Sequence, residues 1–149
     1  MHMRNPMVML RDRAEETLTA STQTLGQVQQ TLQHAMAQHQ QLQTYADEYQ
    51  QSLRRGMTGS GMSVAHLVNH QAFIVSLNQV VRQHENQVDQ CERAVDGAKK
   101  CWINDKQRLN AFETLLARRQ SDEAQAASRR EQKLMDECAQ RINHLRGRL

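Results

Sequence analysis

The chain has 149 residues, with 19 basic and 16 acidic side chains for a formal charge of +3, 38% hydrophobic residues and only 3% aromatics. Two Phe, two Tyr and one Trp cannot supply the ring area that fills most compact cores. The Leu, Val, Ala, Met and Gln that dominate instead suit long helices with a narrow buried seam, the composition of a coiled coil. No uninterrupted run of about 18 apolar residues offers a membrane span, and the start lacks the continuous apolar stretch of a secretory signal. Cys91, Cys101 and Cys138 show no CxxC spacing and read as reduced thiols of a cytosolic protein.

In chain order, Pro6 suits the first position of a helix, because its missing N–H would have no partner there anyway. An apolar seam then steps alternately by three and four residues: Leu18, Ser21, Leu25, Val28, Leu32, Ala35, His39, Leu42, Ala46, Tyr49, Leu53. Sustained over about five heptads, that alternation is a coiled-coil period rather than a simple amphipathic face. Gly56, Gly59 and Gly61 follow within six positions, in a chain with six glycines and one proline. Ser63 is placed to cap a second helix. The alternation resumes at Leu67, His70, Ile74, Leu77, Val81, His84, Val88 and Cys91. It continues through Val95, Ala98, Trp102, Asp105, Leu109, Phe112 and Leu116. Eleven residues then separate Leu116 from Ala127, the interval of a stutter that relaxes a left-handed supercoil.

Two long helices with one seam each, joined by a glycine-rich segment, fold back on each other most simply. The expectation is an all-α protein: a long antiparallel two-helix coiled coil, a helical hairpin, with a C-terminal helical overhang. It forms one elongated unit over residues 1–149, with helix 1 at about 7–54, a hinge at 55–62, and helix 2 at 63–145, unpaired beyond about 116. Reversal at residue 58 or 59, where glycine permits positive φ, sets Leu53 against Val64 or Leu67. It sets Leu42 against Ile74 or Leu77, and Leu18 against Ala98 or Trp102.

Chemical motifs are sparse. GMTGSGM lacks the GK[ST] ending and the preceding strand of a phosphate loop. His66 and His70 share a helical face, but no cysteine pair or neighbouring carboxylate completes a metal site. There is no nucleophile motif and no enclosed pocket to tune one, so the reading is of a protein that is not an enzyme and needs no cofactor or metal. The charge is uneven. Residues 117–149 carry eight basic against five acidic side chains, while the earlier segments balance. Acids interleave with these bases and no aromatics stack among them, which argues against nucleic acid. A solvated helical face and a segment that enters an acidic cavity both fit. Tyr45, Phe73 and Val80 lie off the seams and are expected to flank them partly exposed, as a partner site would.

The segments YADEYQQSL, NHQAFIVSLNQVVRQHENQV, KKCWINDKQRLNAFETLLARRQ and KLMDECAQR, in this order, resemble the flagellar FliJ family over roughly residues 15–142. The resemblance implies a component of the bacterial flagellar type III export apparatus, with a hairpin similar to the γ-subunit stalk of rotary ATPases. It implies a cytoplasmic protein at the inner face of the inner membrane, at the flagellar basal body. The implied partners are a FliI-type hexameric export ATPase, the FlhA export gate and export chaperones. A gate-binding surface carries over at Gln38, Leu42, Tyr45, Tyr49, Phe73, Leu77 and His84, with Val80 replacing a smaller residue. The stalk analogy directs Arg118, Arg119, Arg129, Arg130 and Lys133 toward the ATPase ring. The equivalent stalk of a virulence type III system, or a generic coiled-coil holdase or scaffold, fits the same pattern.

Overall fold

The computed structural model describes residues 5–59, 61 and 63–147. Two helices account for nearly all of them: α1, Pro6–Gly59, and α2, Val64–Gly147. They pack against each other, and no strand occurs among the described residues. Both starts are capped by side chains that accept otherwise orphaned amides. Asn5 Oδ1 accepts from the Met7 amide at 3.0 Å, with Pro6 as the first helical residue. Ser63 Oγ accepts from the His66 amide at 3.3 Å. At the far end of α2, His144 and Arg146 sit in the last turn, where positive charge complements the helix dipole.

The seams appear as the sequence predicts. Between Val64 and Leu116, every predicted seam position from Leu67 onward is buried or half-buried, and no other described residue is. On α1 all predicted positions from Leu18 to Leu53 are likewise withdrawn from solvent. Small residues make the closest layers: Ala14, Ala35 and Ala46 are among the most buried side chains, alongside Leu53, Leu77, Val81, Val95 and Leu109. No large side chain described here is fully buried. Each is covered by one partner helix and by nothing behind it.

Packing divides the chain into two compact units, Thr19–Asn104 and Met1–Leu18 with Asp105–Leu149. In the first, Ala46 packs with Leu77 and Val81, and Leu42 and Tyr49 close over that cluster. Farther from the turn, the Trp102 indole N–H donates to Thr22 Oγ1 at 3.0 Å. In the second, Leu10, Ala14 and Thr17 share a groove with Arg108 and Phe112. Arg119 donates to Asn5 Oδ1 at 3.3 Å. From Ala117 to Gly147 every residue is exposed.

The turn differs from the sequence expectation. Gly56 and Gly59 remain helical, α1 runs to Gly59 rather than 54, and the reversal lies between Gly59 and Val64. Among the described residues only Gly61 takes a positive φ, 73°. The later turn moves each pairing by about one heptad relative to the earliest partners expected. Of the two partners expected for Leu42, the structure favours Leu77: Leu42 packs against the cluster of Ala46, Leu77 and Val81. A shift of one heptad leaves the seams facing each other and changes only which layers meet.

Two predictions follow from this packing. Val81→Asp should destabilise the fold by at least about 2 kcal/mol in urea unfolding, because the carboxylate would be desolvated without a partner. Val75→Asp, at a position 58% exposed, should change stability by no more than about 0.5 kcal/mol. At the turn, Gly61→Ala should cost about 1 kcal/mol, the penalty of a left-handed conformation for a residue with a Cβ. Gly59→Ala should be neutral or stabilising, since a Cβ there meets nothing within 4 Å and alanine favours helix.

Candidate functional site

The eight residues implied as a gate-binding surface all fall in the Thr19–Asn104 unit, but they occupy three kinds of position. Leu77 is core, 9% exposed and packed on Ala46 and Val81. Leu42, Tyr49, His84 and Gln38 are half-buried along the seam or beside it. Tyr45, Phe73 and Val80 are exposed, at 51%, 42% and 38%. Those last three are the off-seam residues expected to flank it.

Tyr49 organises the cluster. Its ring meets Phe73 at 4.8 Å between centroids, tilted by 54°, and His70 at 5.7 Å. A tilted arrangement places positive ring edge against negative ring face and is favoured over flat stacking. The Tyr49 hydroxyl hydrogen-bonds His70 Nδ1. This gives a polar seam residue a partner and brings the two helices together one turn from the Ala46–Leu77 layer. One to three helical turns from Tyr49, Gln38, Gln41, Leu42 and Tyr45 from α1 and His84 from α2 line an open groove of about 370 Å³. Gln38 also contacts the His34 ring nitrogen at 3.3 Å.

Heptad position explains why these side chains share one edge. Gln38 and Tyr45 on α1, and Phe73 and Val80 on α2, each immediately precede a seam residue that follows a four-residue step or continues it in the same phase. When two helices run antiparallel, the same flanking slot of each helix lies along the same edge of the pair. The opposite slots hold Met36, Gln43, Gln50, Gln71, Asn78 and Glu85, with Met36 50% exposed. The exposed rings are therefore confined to one edge, and the other is mainly amide, with one acid and one exposed methionine. Exposed rings on a narrow, otherwise polar structure are what a partner's pocket can anchor.

The basic residues implied for ring contact lie on α2 in the other unit. At 100° per residue, Arg118, Arg119, Arg129, Arg130 and Lys133 fall within about a third of the circumference. Asp122 and Asp136 share that side. Arg119 is already engaged with Asn5 and, at 3.9 Å, with Glu123. Arg130 donates to its own helix at the Ala126 carbonyl, 3.4 Å away. The face is of mixed charge rather than uniformly positive. No group of His, Cys, Asp and Glu suited to a metal ion occurs among the described residues.

The family model described as "Flagellar FliJ protein" matches residues 3–148. The chain belongs to the FliJ family. Among curated relatives, the flagellar FliJ protein of Salmonella typhi is 37% identical over 132 residues, covering 89% of both chains. That of Escherichia coli strain K12 is 36% identical over the same length and coverage. The sequence alone did not place three contacts of this FliJ-family chain: the Asn5 cap, the Trp102–Thr22 bond and the Tyr49–His70 bond. Asn immediately before Pro6 is a helix-start signal that could have revealed the first. The other two depend on register.

Replacing Tyr49 separates the core role of this ring from the surface role of Tyr45. Tyr49→Phe should cost about 1 kcal/mol, the worth of one hydrogen bond, and Tyr49→Ala about 3 kcal/mol or more. Thermal unfolding followed by circular dichroism measures both.

Proposed function

We propose that this FliJ-family chain acts in flagellar protein export as a linker without catalytic chemistry of its own. In this reading the aromatic edge formed by Tyr45, Phe73 and Val80, backed by Tyr49 and Leu77, docks on the FlhA export gate. The exposed basic segment carrying Arg118, Arg119, Arg129, Arg130 and Lys133 engages a FliI-type hexameric ATPase. Export chaperones are handed on by the same protein at the cytoplasmic face of the membrane. No described helix is long and apolar enough to cross a membrane, which suits a protein that reaches the membrane through a partner.

One observation carries the reading: three apolar side chains, 38–51% exposed, sit on a single edge next to a satisfied aromatic core. The Phe73 ring, held against Tyr49, loses little freedom on binding, and Tyr45 beside it adds an exposed ring of the kind that anchors a partner. The flagellar description of the family and of both relatives favours the flagellar system over its virulence counterpart.

Tyr45→Ala tests the assignment. Truncating a hot-spot ring should weaken FlhA binding by about 1–3 kcal/mol. Helicity should be retained, since the side chain is half in solvent, and so should stimulation of the export ATPase. A Tyr45→Ala protein that binds FlhA normally and loses ATPase stimulation would exchange the roles of the two segments.

A further inference from the structure

The unit of Met1–Leu18 and Asp105–Leu149 carries a groove on each side of its seam, and the two differ in charge. On one side, Leu10, Arg13, Ala14 and Thr17 of α1 and Arg108 and Phe112 of α2 line about 300 Å³. Ala14 is buried and Phe112 half-buried, so the floor is apolar, and Leu10 stands 47% exposed at the rim. Each helix contributes one arginine, and no acid lines the groove.

The groove on the other side, about 320 Å³, is lined by residues that include Val8, Arg11 and Glu113. Its charges are compensated: Arg11 is paired with Asp12 at 3.0 Å, and Glu113 adds a carboxylate. Arg13 and Arg108 have no such counter-charge, since neither takes part in an ion pair among the described residues. The nearest acids do not supply one. Asp105 is half-buried on the seam with contacts of its own. At 100° per residue, Glu16 lies on one side of Arg13, whereas the groove residues Leu10 and Thr17 lie on the other. Two cations sharing one groove repel each other, and an anion placed between them turns that repulsion into attraction. Planar guanidinium forks match a carboxylate in particular.

We propose that this groove seats an acidic side chain of the export ATPase. The carboxylate lies between Arg13 and Arg108, and an adjoining apolar side chain of the same segment covers Leu10 and Phe112. A free small anion would satisfy the arginines and leave that apolar surface in water, so the groove fits a protein segment better. The proposal rests on the reading that this unit engages the ATPase. It extends the contact from the exposed basic stretch into the part of the unit where α1 and α2 pack together.

The affinity of the full-length chain for a FliI-type hexamer, measured by fluorescence anisotropy at fixed ionic strength, tests the proposal. Arg13→Gln and Arg108→Gln should each weaken binding at least about fivefold, with helicity unchanged because both residues are exposed. The double variant should be little weaker than either single one, because both arginines hold one carboxylate. Arg11→Gln, in the compensated groove, should stay within about twofold of the parent. Parent-like binding by both groove variants overturns the proposal, and Arg129→Gln then decides the reading beneath it, which stands if that variant binds weakly. Equal weakening by Arg11→Gln would reduce the effect to net charge and also overturn the groove. Losses that simply multiply in the double variant would give each arginine its own partner and overturn the shared carboxylate. A parent chain without affinity for the hexamer overturns the reading and the groove together.

Discussion

Everything in this molecule depends on one seam shared by two helices. With a third helix or a sheet behind it, an apolar side chain can be covered from several directions. Here each is covered once, and even Leu77, Val81 and Leu109 retain a few per cent exposure. Close approach of the backbones compensates, and Ala14, Ala35 and Ala46 permit it. Burial is thin, so the seam leaves no spare apolar residues to hide elsewhere. Rings that are not on it, such as Tyr45 and Phe73, are at the surface by geometry.

That constraint links fold to function in this FliJ-family chain. A two-helix pair has two edges, and the flanking heptad slots decide their chemistry independently of the seam. Gln43, Gln50, Gln71, Asn78 and Glu85 make one edge mainly polar, with Met36 its one exposed apolar residue, while Tyr45, Phe73 and Val80 make the other aromatic and apolar. Tyr49 belongs to both systems: its ring supports Phe73 and its hydroxyl ties His70 on the opposite helix. Disturbing Tyr49 therefore affects packing and surface together, whereas Tyr45 stands apart from the core.

The seams were legible because steps of three and four single out a face whatever the partner. The exposure of Tyr45, Phe73 and Val80 followed from their being off that face. Register was not legible, because a seam that repeats every heptad faces its partner equally well after a slip of one heptad. The turn breaks that degeneracy, and its position was misread. Three glycines in six residues pointed to a hinge, yet Gly56 and Gly59 are helical and Gly61 alone takes the left-handed conformation. Glycine permits a reversal without requiring one. The roles of the edge and of the basic segment came from family resemblance, since nothing in the spacing of Gln38 or Arg129 names a partner.

The central proposal is that the closed helix pair itself presents the edge offered to the export gate, without the seam opening. Counting eleven residues along each helix from the Ala46–Leu77 layer brings Ala35 and Val88 to one layer, away from the aromatic cluster. In a chain with Cys91, Cys101 and Cys138 replaced by Ala, Ser and Ser, cysteines at 35 and 88 would lock the pair when oxidised. FlhA affinity of the oxidised and reduced forms is the direct measurement. The account predicts equal affinity within about threefold, as expected for a preformed site that does not rearrange on binding. Binding lost on oxidation and restored by reduction would show that the gate is bound by an opened seam.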